Sequence, residues 1–138
     1  MTAVVRLERR LAYRRDLMKS CLVVDDSKVV RMVARRILED LDFEIEEAHD
    51  GQMALNACER RLPDAILLNW NMPIMNGLEF LRKLRSLPQG DMPIVVFCTT
   101  ENDMSHIQTA ISEGANEYIM KPFDSEIIET KFQQVGLI

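Results

Sequence analysis

The chain alternates short apolar runs with stretches of helical spacing. Cys21-Leu22-Val23-Val24 is a compact apolar run that ends in Asp25-Asp26. Ser27 can cap a helix through about Leu41, with Val30, Val33, Ile37, Leu38 and Leu41 at helical spacing. Phe43 to Ala48 alternates like a second strand. Asp50 then starts a helix containing Ala54, Leu55 and Cys58, and Pro63-Asp64 punctuates. Ala65-Ile66-Leu67-Leu68 is a third, fully apolar strand. The loop from Asn69 to Gly77 follows, and the next helix puts Leu78, Leu81 and Leu84 on one face. After the break from Pro88 to Pro93, Ile94 to Cys98 forms a fourth strand. Thr99 to Asp103 is a polar loop that can cap a helix with Ile107, Ala110 and Ile111, ended by Gly114. Glu117 to Met120 is a short fifth strand. Lys121-Pro122-Phe123 turns the chain, and Asp124 can cap a last helix with Ile127, Ile128 and Phe132.

Strands that are apolar on both faces need cover on both faces, and the helices between them supply it. The expected fold is therefore α/β, a doubly wound, five-stranded parallel sheet with helices on both faces and right-handed crossovers. No repeat or low-complexity tract interrupts it. The connections after strands one, three, four and five are polar and chemically distinctive, whereas those before the strands are bland. In open parallel sheets the ligand site lies beyond the C-terminal strand ends, at the switch in strand order.

Composition adds a division. A length of 138 residues fits one domain. The net charge of -5 gives no global pull toward nucleic acid. It is unevenly spread: residues 1–20 carry six basic and two acidic side chains (+4), and residues 21–138 carry 11 basic and 20 acidic ones (-9). The chain thus reads as a basic N-terminal extension, 1–19, and a domain, 20–138. No apolar run is long enough to span a membrane. The charged first segment lacks the apolar core of a secretory signal. Cys21, Cys58 and Cys98 form no CxxC pair and suit a reducing compartment, so a cytoplasmic location is expected. The nine methionines are expected to fill core gaps. His49 and His106 lack companions for a zinc site. No Walker loop or GxGxxG motif is present, which argues against nucleotide-triphosphatase and dinucleotide-binding readings.

The chemistry gathers at the strand ends. Adjacent carboxylates, Asp25 and Asp26, leaving a buried strand repel each other and lose solvation, and a hard divalent cation relieves both costs. The bland alternative is a pair of helix-start carboxylates favoured by the dipole. Thr99 reads either as a loop or capping hydroxyl or as a donor to a ligand oxyanion. Lys121 reads either as a solvated lysine or as a point charge over the carboxylates. Together they suit a magnesium-complexed phosphoryl group. Strand three should supply the centre of such a cluster, but it ends in Asn69, a neutral and poor nucleophile. Trp70 opens the following loop, as an exposed contact or a lid.

In its motifs the sequence resembles the receiver domain of bacterial two-component response regulators, especially single-domain regulators of the chemotaxis type. The matching stretches are Leu22 to Ser27, Ala48-His49-Asp50-Gly51, Asn69 to Gly77, Thr99 and Lys121-Pro122-Phe123, within roughly residues 19–135. The resemblance implies strand order 2-1-3-4-5 and a magnesium ion held by Asp25, Asp26 and the backbone carbonyl of Asn71. It also implies phosphoryl contacts from Thr99 and Lys121, and an aromatic switch at Tyr118 that turns inward as Thr99 moves. Such domains catalyse only their own phosphorylation and dephosphorylation. Their input comes from a histidine kinase or phosphotransfer protein. Their output is a downstream protein bound on the face formed by the fourth helix, fifth strand and fifth helix of the domain, and no further output domain is expected after residue 135.

The departure lies at Asn69, where the family has its phosphoacceptor aspartate. Its loss should abolish aspartyl phosphate and weaken magnesium, while the near-isosteric swap preserves the fold. Asn76 also replaces a frequent aspartate. Two explanations stand: a laboratory substitution in an otherwise typical regulator, or a natural receiver that works without phosphorylation. Arg6, Arg9, Arg10, Arg14 and Arg15 form the other departure. They read as a solvated extension, as packing against the acidic body or another copy, or as a site for an anionic ligand such as a cyclic dinucleotide, which some related receivers bind. Met18 as natural start is a further alternative. A haloacid-dehalogenase-like phosphatase fits poorly, since its two acids stand two residues apart and these are adjacent.

Overall fold

Apolar side chains alternate between two faces along each central strand, and this alternation builds two separate cores. The computed structural model describes residues 2–138, and the side chains of these except 11–17 and 101. The elements are α1 (Ala3–Leu17), β1 (Ser20–Val24), α2 (Lys28–Asp40), β2 (Glu44–Ala48), α3 (Gly51–Arg60), β3 (Ala65–Asn69), α4 (Gly77–Arg85), β4 (Ile94–Thr99), a 3-10 helix (Glu101–His106), α5 (Ile107–Ser112), β5 (Glu117–Met120) and α6 (Ser125–Gln134). The strands form one five-stranded sheet in the order β2-β1-β3-β4-β5, every pair parallel. The doubly wound α/β expectation and its strand order therefore hold.

Leu22, Val24, Ile66, Leu68, Val95 and Phe97 join Ala54, Phe80, Leu84 and Ala110, so one core lies under α3, α4 and α5. Cys21, Val23, Ala65, Leu67, Val96 and Cys98 join Ala34, Leu38, Ile128 and Phe132 on the opposite face, under α2 and α6. Burying an apolar side chain of this size stabilises by about 1.5–3 kcal/mol, so the strand sequence alone fixes which residues the helices cover. Ser27, Asp50 and Asp124 cap α2, α3 and α6 by accepting backbone N–H bonds from Val30, Met53 and Ile127. Asn76 caps α4 through Glu79.

Several local expectations need correction. The strand β2 begins at Glu44; Phe43 lies between the preceding turn and the strand and packs edge-on against Phe132, 5.4 Å between centroids. The strands β3 and β4 each run one residue further, to Asn69 and Thr99, because both residues continue the ladder. In α4 Phe80 is buried and Leu78 only half-buried, since the core stripe follows Gly77, Phe80, Leu81 and Leu84. A 3-10 turn delays α5, and Ile111 is exposed. Ile127 and Val33 are exposed too, the latter beside Val29 and Met32. Among the described methionines Met75 alone is buried, and Met32, Met53, Met92 and Met120 are exposed. The basic segment is helical, with Arg6, Arg9, Arg10 and Leu7 exposed; the side chains of Leu11, Arg14 and Arg15 lie outside the described residues.

The cysteines are free and buried. Burial pushes the Cys21 and Cys58 thiols up to about 12, and raises Cys98 further. They are core side chains, not nucleophiles.

Candidate functional site

The parallel register brings the C-terminal ends of β1, β3 and β4 level. Val24 pairs with Leu68, and Asn69 pairs with Cys98, so Asp25 and Asn69 emerge side by side where the strand order reverses. Asp25 is buried and its backbone N–H bonds to the Ala48 carbonyl. Its Oδ1 accepts from the Ser27 N–H at 2.9 Å and its Oδ2 accepts from Lys121 Nζ at 2.6 Å. The ammonium also donates to Asn69 Oδ1 at 3.1 Å. On the other side of that amide, Asn69 Nδ2 donates to Asp26 Oδ1 at 3.2 Å and to the Asn71 carbonyl at 2.8 Å. The Lys121–Pro122 bond is cis.

The loop from Trp70 to Asn76 is held by its backbone. The Gly77 N–H bonds to the Trp70 carbonyl at 2.8 Å, and the Gly51 N–H bonds to the Met75 carbonyl at 3.0 Å. Both glycines are there for space: a Cβ on Gly77 would collide with the Asn69 carbonyl oxygen, and one on Gly51 with that of Met75. At the tip, Ile74 is exposed with φ 70°, a left-handed conformation that strains a β-branched residue. Trp70 is half-buried, stacked on His106 at 4.0 Å and tilted against Phe97 at 5.6 Å. It is a packed wall of the loop, neither a free contact nor an open lid.

The structure thus brings Asp25, Asp26, Asn69, Asn71 and Lys121 into one network. Thr99 is buried at the next strand end, but its hydroxyl donates to the Thr100 carbonyl at 3.2 Å, away from that network. Tyr118 is half-buried, with Lys131 Nζ 5.4 Å from its ring centre. Arg31 was not anticipated. Its Nη1 donates to the Asp25 carbonyl at 2.7 Å while its Nε pairs with Glu47 at 3.0 Å. The available signal was an arginine one turn into α2 facing the acidic alternation of β2.

Residues 21–133 match a family described as the response regulator receiver domain. The chain belongs to that receiver family. Among curated proteins, the receiver is 34% identical to chemotaxis protein CheY1 of Helicobacter pylori over 116 residues, covering 83% of this chain and 94% of that protein. A CheY homolog of Campylobacter jejuni is 37% identical over 117 residues, covering 83% and 89%. Among solved structures, CheY4 of Vibrio cholerae superposes with a TM-score of 0.80 at 33% identity, covering 86% of the receiver and 98% of that chain. The receiver domain of sensor histidine kinase PA1611 of Pseudomonas aeruginosa, solved with a magnesium ion coordinated in its active-site cleft, gives 0.78 at 25% identity, covering 85% and 96%.

The oxygens of Asp25, Asp26 and the Asn71 carbonyl are hard donors of the kind magnesium takes. In this receiver the Asn69 amide already donates to two of those groups. Among the described residues no three His, Cys, Asp or Glu side chains stand together as a metal site. No helix among them is long and apolar enough to cross a membrane.

Proposed function

We propose that the receiver is a single-domain response regulator of a two-component phosphorelay, and that Asn69 stands at the phosphoacceptor position, so that no phosphoryl group is taken up there. The observation that carries this reading is the Asn69 side chain itself, at the end of β3 between Lys121 and the Asp25–Asp26 pair. An aspartate there would meet the same lysine as a nucleophilic carboxylate; the amide is neutral and its lone pair is delocalised. Thr99 and Lys121 are the residues that would contact a phosphoryl group in the Asn69→Asp variant. Asp25, Asp26 and the Asn71 carbonyl would hold magnesium, weakly without a third carboxylate, and the bound ion would supply positive charge beside the site.

Input comes from a histidine kinase or phosphotransfer protein, and output is a protein–protein contact in the cytoplasm. The face of α5, β5 and α6 supports this, since Ile111, Met120 and Ile127 are exposed apolar side chains on its three elements, with Tyr118 as the switch aromatic. A turnover reaction on other substrates is not part of the reading. Residues 1–19 are an appendage to a receiver body of 20–138. The test is incubation with acetyl phosphate or a cognate kinase and magnesium. Intact mass should be unchanged, and Asn69→Asp should gain one labile phosphoryl group. A stoichiometric labile adduct on the unaltered chain would overturn the reading.

The exposed arginines of α1 favour a second reading, a receiver acting independently of phosphorylation that binds an anionic ligand such as a cyclic dinucleotide. Calorimetry on the full chain and on a chain starting at Met18 separates the two. Equal, negligible heats dispose of the ligand.

A further inference from the structure

We infer that the Asn69 side-chain amide is an internal substitute for the cation, holding Asp26 and the Asn71 carbonyl together so that the site is closed without magnesium. The inference rests on the proposed reading of these oxygens as a cation site. Three features carry it. The first is geometric: Nδ2 reaches Asp26 Oδ1 at 3.2 Å and the Asn71 carbonyl at 2.8 Å, and an amide nitrogen has one proton for each. Asp26 and the Asn71 carbonyl are also two of the groups that would hold a cation.

The second is the orientation of the amide, which its neighbours dictate. Turned over, Asn69 would aim its oxygen at two acceptor oxygens and its NH2 group at the Lys121 ammonium, which stands 3.1 Å from Oδ1. Every contact would then be repulsive, so only the observed orientation satisfies the network. The third is charge. Asp25 pairs with Lys121, leaving Asp26 as the one formal charge without an ammonium partner in the network. An aspartate at 69 would add a third carboxylate against one ammonium and remove both donors together. The amide does the opposite on both counts. Asp26 is exposed, and the Asn69 amide is the side-chain donor that ties it to the network.

A missing charge and an occupied site make different predictions. If Asn69 weakens magnesium only because it lacks a charge, another neutral residue at 69 changes nothing, or weakens binding further by removing the amide oxygen as a ligand. If the amide competes with the ion, deleting it frees Asp26 and the Asn71 carbonyl and binding tightens. Magnesium chloride is titrated by calorimetry into the full chain, Asn69→Ala and Asn69→Asp, with Trp70 emission as a second signal; the chain has one tryptophan, next to the site. Asn69→Asp should bind most tightly. Asn69→Ala should bind about tenfold more tightly than the unaltered chain, the factor that about one net charge-assisted hydrogen bond represents.

Equal or weaker binding by Asn69→Ala overturns the inference while leaving the cation site intact. No binding by Asn69→Asp overturns the cation site, and the inference with it. A direct measurement needs no variant. In nuclear magnetic resonance spectra of the unaltered chain, both Asn69 amide protons should be shifted downfield, as hydrogen-bonded protons are. They should keep those positions at magnesium concentrations that saturate the Asn69→Asp chain. Two protons at solvent-exposed positions would overturn it.

Discussion

The two ends of the sheet use polar side chains differently. At the N-terminal end, side chains answer to backbone. Asp64 Oδ2 accepts from the Ser20 N–H at 2.8 Å, and Asn116 Oδ1 accepts from the Val95 N–H at 2.8 Å. The half-buried Arg85 guanidinium donates mainly to backbone, to the carbonyls of Gly90, Pro93 and Gly114, with one further bond to Asn116 Oδ1, closing the α4–β4 and α5–β5 connections together. At the C-terminal end, Lys121 bonds to Asp25 and Asn69, and Asn69 to Asp26, so much of the network runs from side chain to side chain. There the loop's own needs are met by Gly51 and Gly77. Polar groups with little structural duty are available for chemistry, and this asymmetry points to the functional end of the sheet independently of any motif.

The largest expected effect breaks the N-terminal end. Arg85→Ala leaves the carbonyls of Gly90, Pro93 and Gly114 without their donor. At about 1–3 kcal/mol for a buried polar group left unmade, the variant should lose about 3 kcal/mol. That corresponds to a fall in Tm of roughly 10 °C for a chain of this size. Arg85→Lys should recover little, because an ammonium cannot span three carbonyls as the planar fork does. Urea denaturation checks this; a loss below about 1 kcal/mol would mean that the end is not braced as described.

The next effect sharpens the contrast. Lys121→Met strands the buried Asp25 carboxylate and should cost about 2 kcal/mol, below the roughly 3–5 kcal/mol of a fully buried pair because Lys121 is 18% exposed. Adding Asp25→Asn should restore stability to within about 1 kcal/mol of the unaltered chain, since both partners of a side-chain pair are then gone. Arg85 has no comparable rescue, because all of its partners except the Asn116 side chain are backbone carbonyls. A double-mutant cycle by thermal denaturation decides. Additive losses at Lys121 and Asp25 would erase the distinction between the two ends.

What was legible in the sequence follows the same division. The central strands β1, β3 and β4 were visible because four or five consecutive apolar residues admit few alternatives, β2 showed by its alternation, and the capping residues Ser27, Asp50 and Asp124 stand directly before their helices. The acidic pair, Asn69 and Lys121 were legible as strand-end chemistry, and their convergence followed from a parallel sheet. What escaped was long-range or depended on local backbone detail. The bonds of Arg85 join segments up to 31 residues apart, and nothing local marks them. The outward bond of Thr99, the packing of Trp70 on His106 and the exposure of Val33, Ile111 and Ile127 depend on where a short helix starts and which neighbours reach it. The two donations of Asn69 were hidden for another reason: an asparagine reads as the absence of a charge until the groups beside it are placed.

The smallest effect concerns an arginine that braces the functional end in the N-terminal manner. Arg31 donates to the Asp25 carbonyl and is itself held by Glu47, which also pairs with Arg35 at 2.7 Å. Burial pushes the Glu47 carboxyl upward, but hydrogen bonds from Arg35 and Arg31 outweigh it and hold the group below its ordinary value of 4.5. A carboxyl lowered in the folded state stabilises that state fully above its unfolded value, and the contribution is lost as pH falls through the folded one. The unaltered chain should therefore exceed Glu47→Gln in stability by about 1 kcal/mol at pH 6, the upper end for pairs this near the surface. The gap should close between about pH 5 and pH 3. Thermal melts of both chains across that range test it, and a gap that persists at pH 3 would mean that Glu47 acts by packing and not by charge. At neutral pH the same variant loosens Arg31 without touching Asp25, so its Asn69 amide protons report whether the floor of the site needs that brace.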